Sequence, residues 1–213
     1  MYANIRTASN LSQAVESGRP VRVLAAGNDL RRDWDTVARA FADDHRFEVV
    51  MLSRREHVAA YEALGKNLRF VRAGQLRSLL EWYAWADIAV IASQANMHGA
   101  GLTMLLEAAA AGIPLLCARN GGIDEYLSPD VVHYVEPQDP DALHAAALTL
   151  LSNPEMATRR AEQAKEAAQA LSSAAALEQR CQVFSEMLDT RTNAAVGSEE
   201  EIAPSELADR REA

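Results

Sequence analysis

Between Ser93 and Glu107 the chain carries the groups best suited to holding an anion. An apolar run closes at Ser93, a polar stretch follows from Gln94 to Gly99, and His98-Gly-Ala-Gly101 leads into Leu102 and a segment with helical spacing. Glycine lets the backbone approach a ligand closely. The first N–H groups of a helix have no partner inside it and carry the positive end of its dipole. Gly99, Ala100, Gly101 and Leu102 therefore offer a seat for a phosphate or diphosphate. The same glycines also suit a tight turn with no ligand at all, so both readings stand. His98 is either a donor to a sugar or phosphate or an ordinary loop histidine.

Two further groups belong with this seat. Arg31 and Arg32 directly follow the first apolar run, where a guanidinium can reach over a sheet edge and grip a phosphate in a forked geometry. Glu107 lies under two helical turns beyond Gly101. It is flanked by Leu105, Leu106 and the alanines 108–111, an unusual setting for a merely solvated carboxylate, and it can accept from ribose hydroxyls. Trp34 reads as core. The five histidines and two cysteines show no metal-ligand spacing, and no metal is expected. Gly65-Lys66 lacks the flanking residues of a P-loop.

These residues need a scaffold, and the chain supplies one. Val21–Gly27, Phe47–Ser53, Leu68–Arg72, Asp87–Ser93, Pro114–Ala118 and Val131–Val135 read as short strands. Helical patterns alternate with them: Asp33–Asp44, Arg54–Gly65, Leu76–Ala86, Gly101–Ala111, a short turn of helix after Gly121-Gly122, and a helix capped by Asp139 with Pro140 at its first position. Such alternation implies a single Rossmann-like α/β domain, a doubly wound and mainly parallel sheet of about six strands. In that architecture ligands bind beyond the carboxyl ends of the strands. Gly27–Arg32, Arg72–Gln75 (with Gly74), Ser93–Leu102 and Arg119–Glu125 converge there. Residues 1–20 read as a leader or linker, 21–155 as the domain, 156–189 as C-terminal helices and 190–213 as a disordered acidic tail.

Bulk composition narrows the function. A formal net charge of −9 over 213 residues argues against nucleic acid or an anionic membrane as the main partner. No signal peptide is visible, and no apolar run reaches the ~20 residues needed to span a bilayer; a cytoplasmic protein is expected. Cys117 reads as a small buried hydrophobe. The first turn, Ala26-Gly-Asn-Asp-Leu-Arg31, lacks the G-x-G-x-x-G of NAD-binding domains.

Ser93 through Gly122 resembles the C-terminal, donor-binding domain of the retaining GT-B fold glycosyltransferases with an E-x7-E signature, the glycosyl transferases group 1 type. Gly99-Ala-Gly-Leu-Thr-Met-Leu-Leu-Glu-Ala-Ala-Ala-Ala-Gly-Ile-Pro and then Gly121-Gly-Ile-Asp-Glu125 carry the likeness. Tyr83-Ala-Trp-Ala-Asp87, Val135-Glu-Pro-Gln-Asp-Pro140 and Leu150-Leu-Ser-Asn-Pro154 extend it, so that it spans about Val21 to Leu188.

The resemblance implies a nucleoside-diphosphate sugar as substrate, with UDP or GDP as the nucleotide. It also implies metal-independent transfer, no cofactor, and a role in polysaccharide biosynthesis. Carried over by position, Glu107 matches the second signature glutamate, which contacts ribose. Gly99–Leu102 matches the diphosphate loop, and Arg31 or Arg32 stands near the basic phosphate contact. Arg72–Gln75 is similar in place to the nucleobase turn, and Gly121-Gly122 to the second glycine motif. The first signature glutamate, which helps hold the donor sugar, falls on Gly99, or on His98 with one residue inserted. Such enzymes hold the acceptor in an N-terminal Rossmann-like domain, absent from this sequence. The partner is then expected on a separate chain, such as a membrane-associated one, or on a removed part of the same one. The alternative is a degenerate, non-catalytic binding or scaffold protein.

Overall fold

The computed structural model describes residues 10–74, 76–95 and 100–171. The described residues up to Gln169 belong to one compact unit. Its strands are Val21–Ala26 (β1), Phe47–Ser53 (β2), Leu68–Arg72 (β3), Ile88–Ile91 (β4), Leu115–Ala118 (β5) and His133–Val135 (β6). They form one sheet in the order β3-β2-β1-β4-β5-β6, and every neighbouring pair is parallel. This is the doubly wound order, with its reversal between β1 and β4.

The strand residues explain the layering. All four positions of β4 and of β5 are buried, which requires helices on both faces. Val21, Val23 and Ala25 of β1 face one core, with Trp34, Val37 and Phe41 from helix α2 (Trp34–Phe41) and Leu143, Ala147 and Leu150 from α5 (Pro140–Ser152). Leu24 and Ala26 face the other core, with Tyr83 from α3 (Leu76–Trp85) and Leu105, Ala108 and Ala109 from α4 (Leu102–Ala110). Helix α6 (Pro154–Ala170) adds Ala157 to the first core and Ala164 and Ala168 to the second. Trp34 is core, as expected, and Cys117 is a buried free thiol. Burial pushes that thiol up to about 12.

Two stretches depart from the sequence reading. Within the expected leader, Asn10–Ser17 forms a helix, α1, whose Leu11 and Ala14 are buried in the first core. The following Arg19 pairs with the buried Asp87 through two bonds, 2.6 and 2.9 Å long. Asp87 also accepts from the Arg22 backbone at 2.8 Å, so the buried carboxylate has the partners it needs. In the second stretch, the helix expected over Arg54–Gly65 spans Glu56–Leu64 and is of the 3-10 type. Val58, Tyr61 and Leu64 recur at intervals of three, the period of the tighter helix, and of them only Val58 is buried.

The part of the expected C-terminal helices beyond Leu171, and the expected tail 190–213, lie outside the described residues. Among the described residues no helix is long and apolar enough to cross a membrane.

Candidate functional site

The crevice opens where β1 and β4 part. They pair only at Val23 with Ile88 and Leu24 with Ala89. Beyond that the Ala26 N–H turns to the Met104 sulfur at 3.3 Å. The chain leaving β1 then crosses the gap to meet the chain leaving β4. Asp33 N–H donates to the Ala92 carbonyl and Gln94 N–H to the Arg31 carbonyl, an antiparallel bridge between Arg32 and Ser93. Asp33 then caps α2, accepting from the Thr36 N–H at 3.1 Å and its hydroxyl at 2.7 Å, which fixes the turn.

This bridge directs Arg32 inward. Its residue exposure is only 7%, and its guanidinium lies between two glycines. A Cβ on Gly27 would stand 2.2 Å from Arg32 Nε. A Cβ on Gly101 would stand 3.2 Å from Arg32 Nη1 and 2.5 Å from Ile91 Cγ2. Both glycines have the positive φ that other residues resist, 155° and 105°. Their lack of side chains is what makes room for the cation. Arg32 Nη2 donates weakly to the Met104 sulfur at 3.4 Å, and among the described residues Arg32 forms no ion pair. Burial pulls its pKa below the ordinary arginine value, although guanidinium stays charged. Asp29, also on the cleft wall, acts on it only through space, and a buried cation with no ion pair among the described residues is costly unless an anion arrives.

Around it lies an open cleft of about 510 Å³, a size suited to a small organic ligand. Gly101 is the N-cap of α4, so the unpaired amides of the first helical turn belong to Leu102, Thr103 and Met104, which line the cleft with Gly27 and Arg32. A buried network braces this wall. Asn120 Nδ2 donates to the Ser93 hydroxyl at 2.5 Å, which in turn donates to the Ala100 carbonyl at 3.2 Å. On the other side Glu107 reaches the cleft from α4, and the buried Tyr83 donates its hydroxyl to Glu107 Oε2 at 2.8 Å.

Of the residues singled out from the sequence, Arg32, Gly74, Ala100, Gly101, Leu102 and Glu107 therefore share one cleft. Arg31 is exposed and does not line it. Arg72 is also turned elsewhere, paired with Glu56 at 2.6 Å. Gly121 and Gly122 form a left-handed turn after β5, away from the cleft lining. His98, Gly99 and Gln75 lie outside the described residues. Sequence reasoning missed Arg54 and Tyr83, and it placed Asn28, Asp29 and Thr103 near the ligand edge without singling them out. Arg54 was legible in principle, because it directly follows β2 at the carboxyl edge of the sheet. Among the described residues no group of three His, Cys, Asp or Glu side chains is placed to hold a metal.

The sequence profile described as Glycosyl transferases group 1 matches residues 21–167. The chain belongs to this family. No curated protein sequence matches it. Sucrose-phosphate synthase from Thermosynechococcus elongatus is 23% identical with a TM-score of 0.66, over 87% of this chain and 52% of that one. HepE from Anabaena, solved with UDP and glucose, is 15% identical with a TM-score of 0.67, over 84% of this chain and 52% of HepE. The C-terminal domain of a glycosyl transferase group 1 family protein from Francisella tularensis is 16% identical with a TM-score of 0.60, over 75% of this chain and 91% of that domain. At these identities the likeness is one of fold. The chain spans about half the length of the first two proteins.

Proposed function

We propose that this chain is the donor-binding half of a two-domain glycosyltransferase and takes a nucleoside-diphosphate sugar in the β1–β4 crevice. The observation that carries the reading is the Arg32 guanidinium, buried between Gly27 and Gly101 without a carboxylate partner among the described residues, at the start of α4. In transfer, the bond between the sugar's anomeric carbon and the diphosphate oxygen breaks, and negative charge grows on the departing diphosphate. Arg32 and the first amides of α4 are aimed at that charge, and a fixed, partly buried cation stabilises it more than water does. The proposal assigns this work to the protein alone, without a metal. Glu107, held by Tyr83, accepts from the ribose hydroxyls. The acceptor would be held by an N-terminal-type domain, on a separate chain or another part of the same one. The family's characteristic chemistry and the nucleotide bound to HepE support this reading.

A non-catalytic binding protein is the second reading. It is favoured by Gly99, or His98 with one residue inserted, standing where the family places its first signature glutamate.

Calorimetry and thermal unfolding with UDP, GDP, ADP and their sugars test the proposal. A nucleotide at a hundredfold excess over its Kd stabilises by about 2.7 kcal/mol, about 5–10 °C in Tm for a chain of this size. The expected result is such a shift with one nucleotide, weakened in Glu107→Ala, while pyrophosphate binds both forms equally. No shift with any nucleotide would sink the proposal.

A further inference from the structure

A nucleotide sugar carries a negative charge on each of its two phosphoryl groups, and Arg32 supplies a single charge. Among the described residues the other cation in the cleft wall is Arg54. It follows β2 directly, and β2 lies between β1 and β3. Arg54 thus stands between Gly27, at the exit of β1, and Ala73 and Gly74, at the exit of β3.

Its placement is fixed by Asn28. The Arg54 N–H donates to Asn28 Oδ1 at 2.7 Å, and Arg55 Nε donates to the Asn28 carbonyl at 2.6 Å. These bonds join the exits of β1 and β2 and leave the Arg54 side chain on the cleft wall. That side chain is exposed and makes no ion pair among the described residues. Neighbouring arginines are committed elsewhere, Arg55 to the Asn28 carbonyl and Arg72 to Glu56.

The lining also has a direction. Leu52, Ala73 and Leu79 gather at the β2–β3 end, where an apolar wall suits the flat face of a base. Arg32 and Gly101 mark the other end. A nucleotide lying with its base over β3 brings its first phosphoryl group beside Arg54 and its second beside Arg32. Resting on the donor-binding reading above, we propose that Arg54 binds the phosphoryl group attached to the nucleoside, and that Arg32 with the start of α4 binds the one attached to the sugar.

Calorimetry on the full chain tests this. The probes are UDP, GDP and ADP, then the monophosphate of whichever binds most tightly. Arg54→Gln should weaken the diphosphate and the monophosphate alike, by about tenfold or more, as expected for loss of a charge-assisted hydrogen bond. Arg54→Lys should recover part of the loss. Arg32→Met should weaken the diphosphate by a larger factor than the monophosphate. Unchanged monophosphate affinity in Arg54→Gln, with a wild type that binds the diphosphate, overturns this inference and leaves the donor site standing. A wild type that binds none of the nucleotides overturns both. Tm of each unliganded variant is read alongside, and Arg54→Gln should match the wild type because its side chain is exposed and unbonded among the described residues.

Discussion

Replacing Arg32 by methionine should raise stability and destroy binding in one step. Methionine keeps the length of the buried stem while removing a charge that has no carboxylate partner among the described residues and is 7% exposed. The only side-chain hydrogen bond forfeited among the described residues is the 3.4 Å contact to the Met104 sulfur, which is weak. Swapping buried charges for well-packed apolar groups is neutral or stabilising by about 1–4 kcal/mol. Because the cleft is open to water, the gain should lie at the low end, about 1 kcal/mol, or about 2–4 °C in Tm.

Binding should move the other way. Hydrogen bonds to a charged group contribute about 1.5–3 kcal/mol, so the Kd for the preferred nucleoside diphosphate should rise by about tenfold to a hundredfold. Thermal unfolding of the unliganded chain and calorimetric titration measure the two quantities separately. A variant that loses 2 kcal/mol or more of stability (an illustrative threshold of about one average destabilising mutation or two) yet binds nucleotide as tightly as wild type would refute the reasoning. It would show Arg32 to be a structural strut.

Three other expectations follow from the geometry. Gly101→Ala places a Cβ 2.5 Å from Ile91 Cγ2 at a φ of 105°. Strain and overpacking together should cost about 2–5 kcal/mol, visible as a lower urea midpoint. Tyr83→Phe keeps the buried ring but removes the donor to Glu107 Oε2. Affinity for UDP should fall several-fold while affinity for 2′,3′-dideoxy-UDP stays nearly constant, and an equal loss for both would exclude a positioning role. Cys117, held neutral by burial with its pKa pushed up to about 12, should resist iodoacetamide at pH 8 in the folded chain and react once urea unfolds it, as peptide mapping would register.

Much of the fold was legible because the signals were local. The unbroken apolar run of β4, and Asp139 accepting from the Ala142 N–H to start α5, are decided within a few residues. Helix α1 was not legible, since it buries only Leu11 and Ala14 over its length and its anchors, Ala84, Ala86 and Asp87, lie far along the chain. For the candidate site, Gly101 and Glu107 stand out from spacing, and both line the cleft. That Arg32 lines it and Arg31 does not was not legible, because this depends on the bridge to Ser93, a contact between distant segments. Arg72 sits at the expected strand end, but Glu56, on the neighbouring 3-10 helix, draws its guanidinium away. Tyr83 meets Glu107 only when α3 and α4 pack on the same face of the sheet.

The central claim is tested most directly by a crystal structure of the chain grown with the nucleoside diphosphate that stabilises it best. The phosphoryl oxygens should lie within hydrogen-bond distance of the Arg32 guanidinium and the amides that open α4, with a ribose hydroxyl on Glu107. A nucleotide seated elsewhere, for instance in the surface depression between Arg39 and His144, with the crevice at Arg32 holding only solvent, would contradict it.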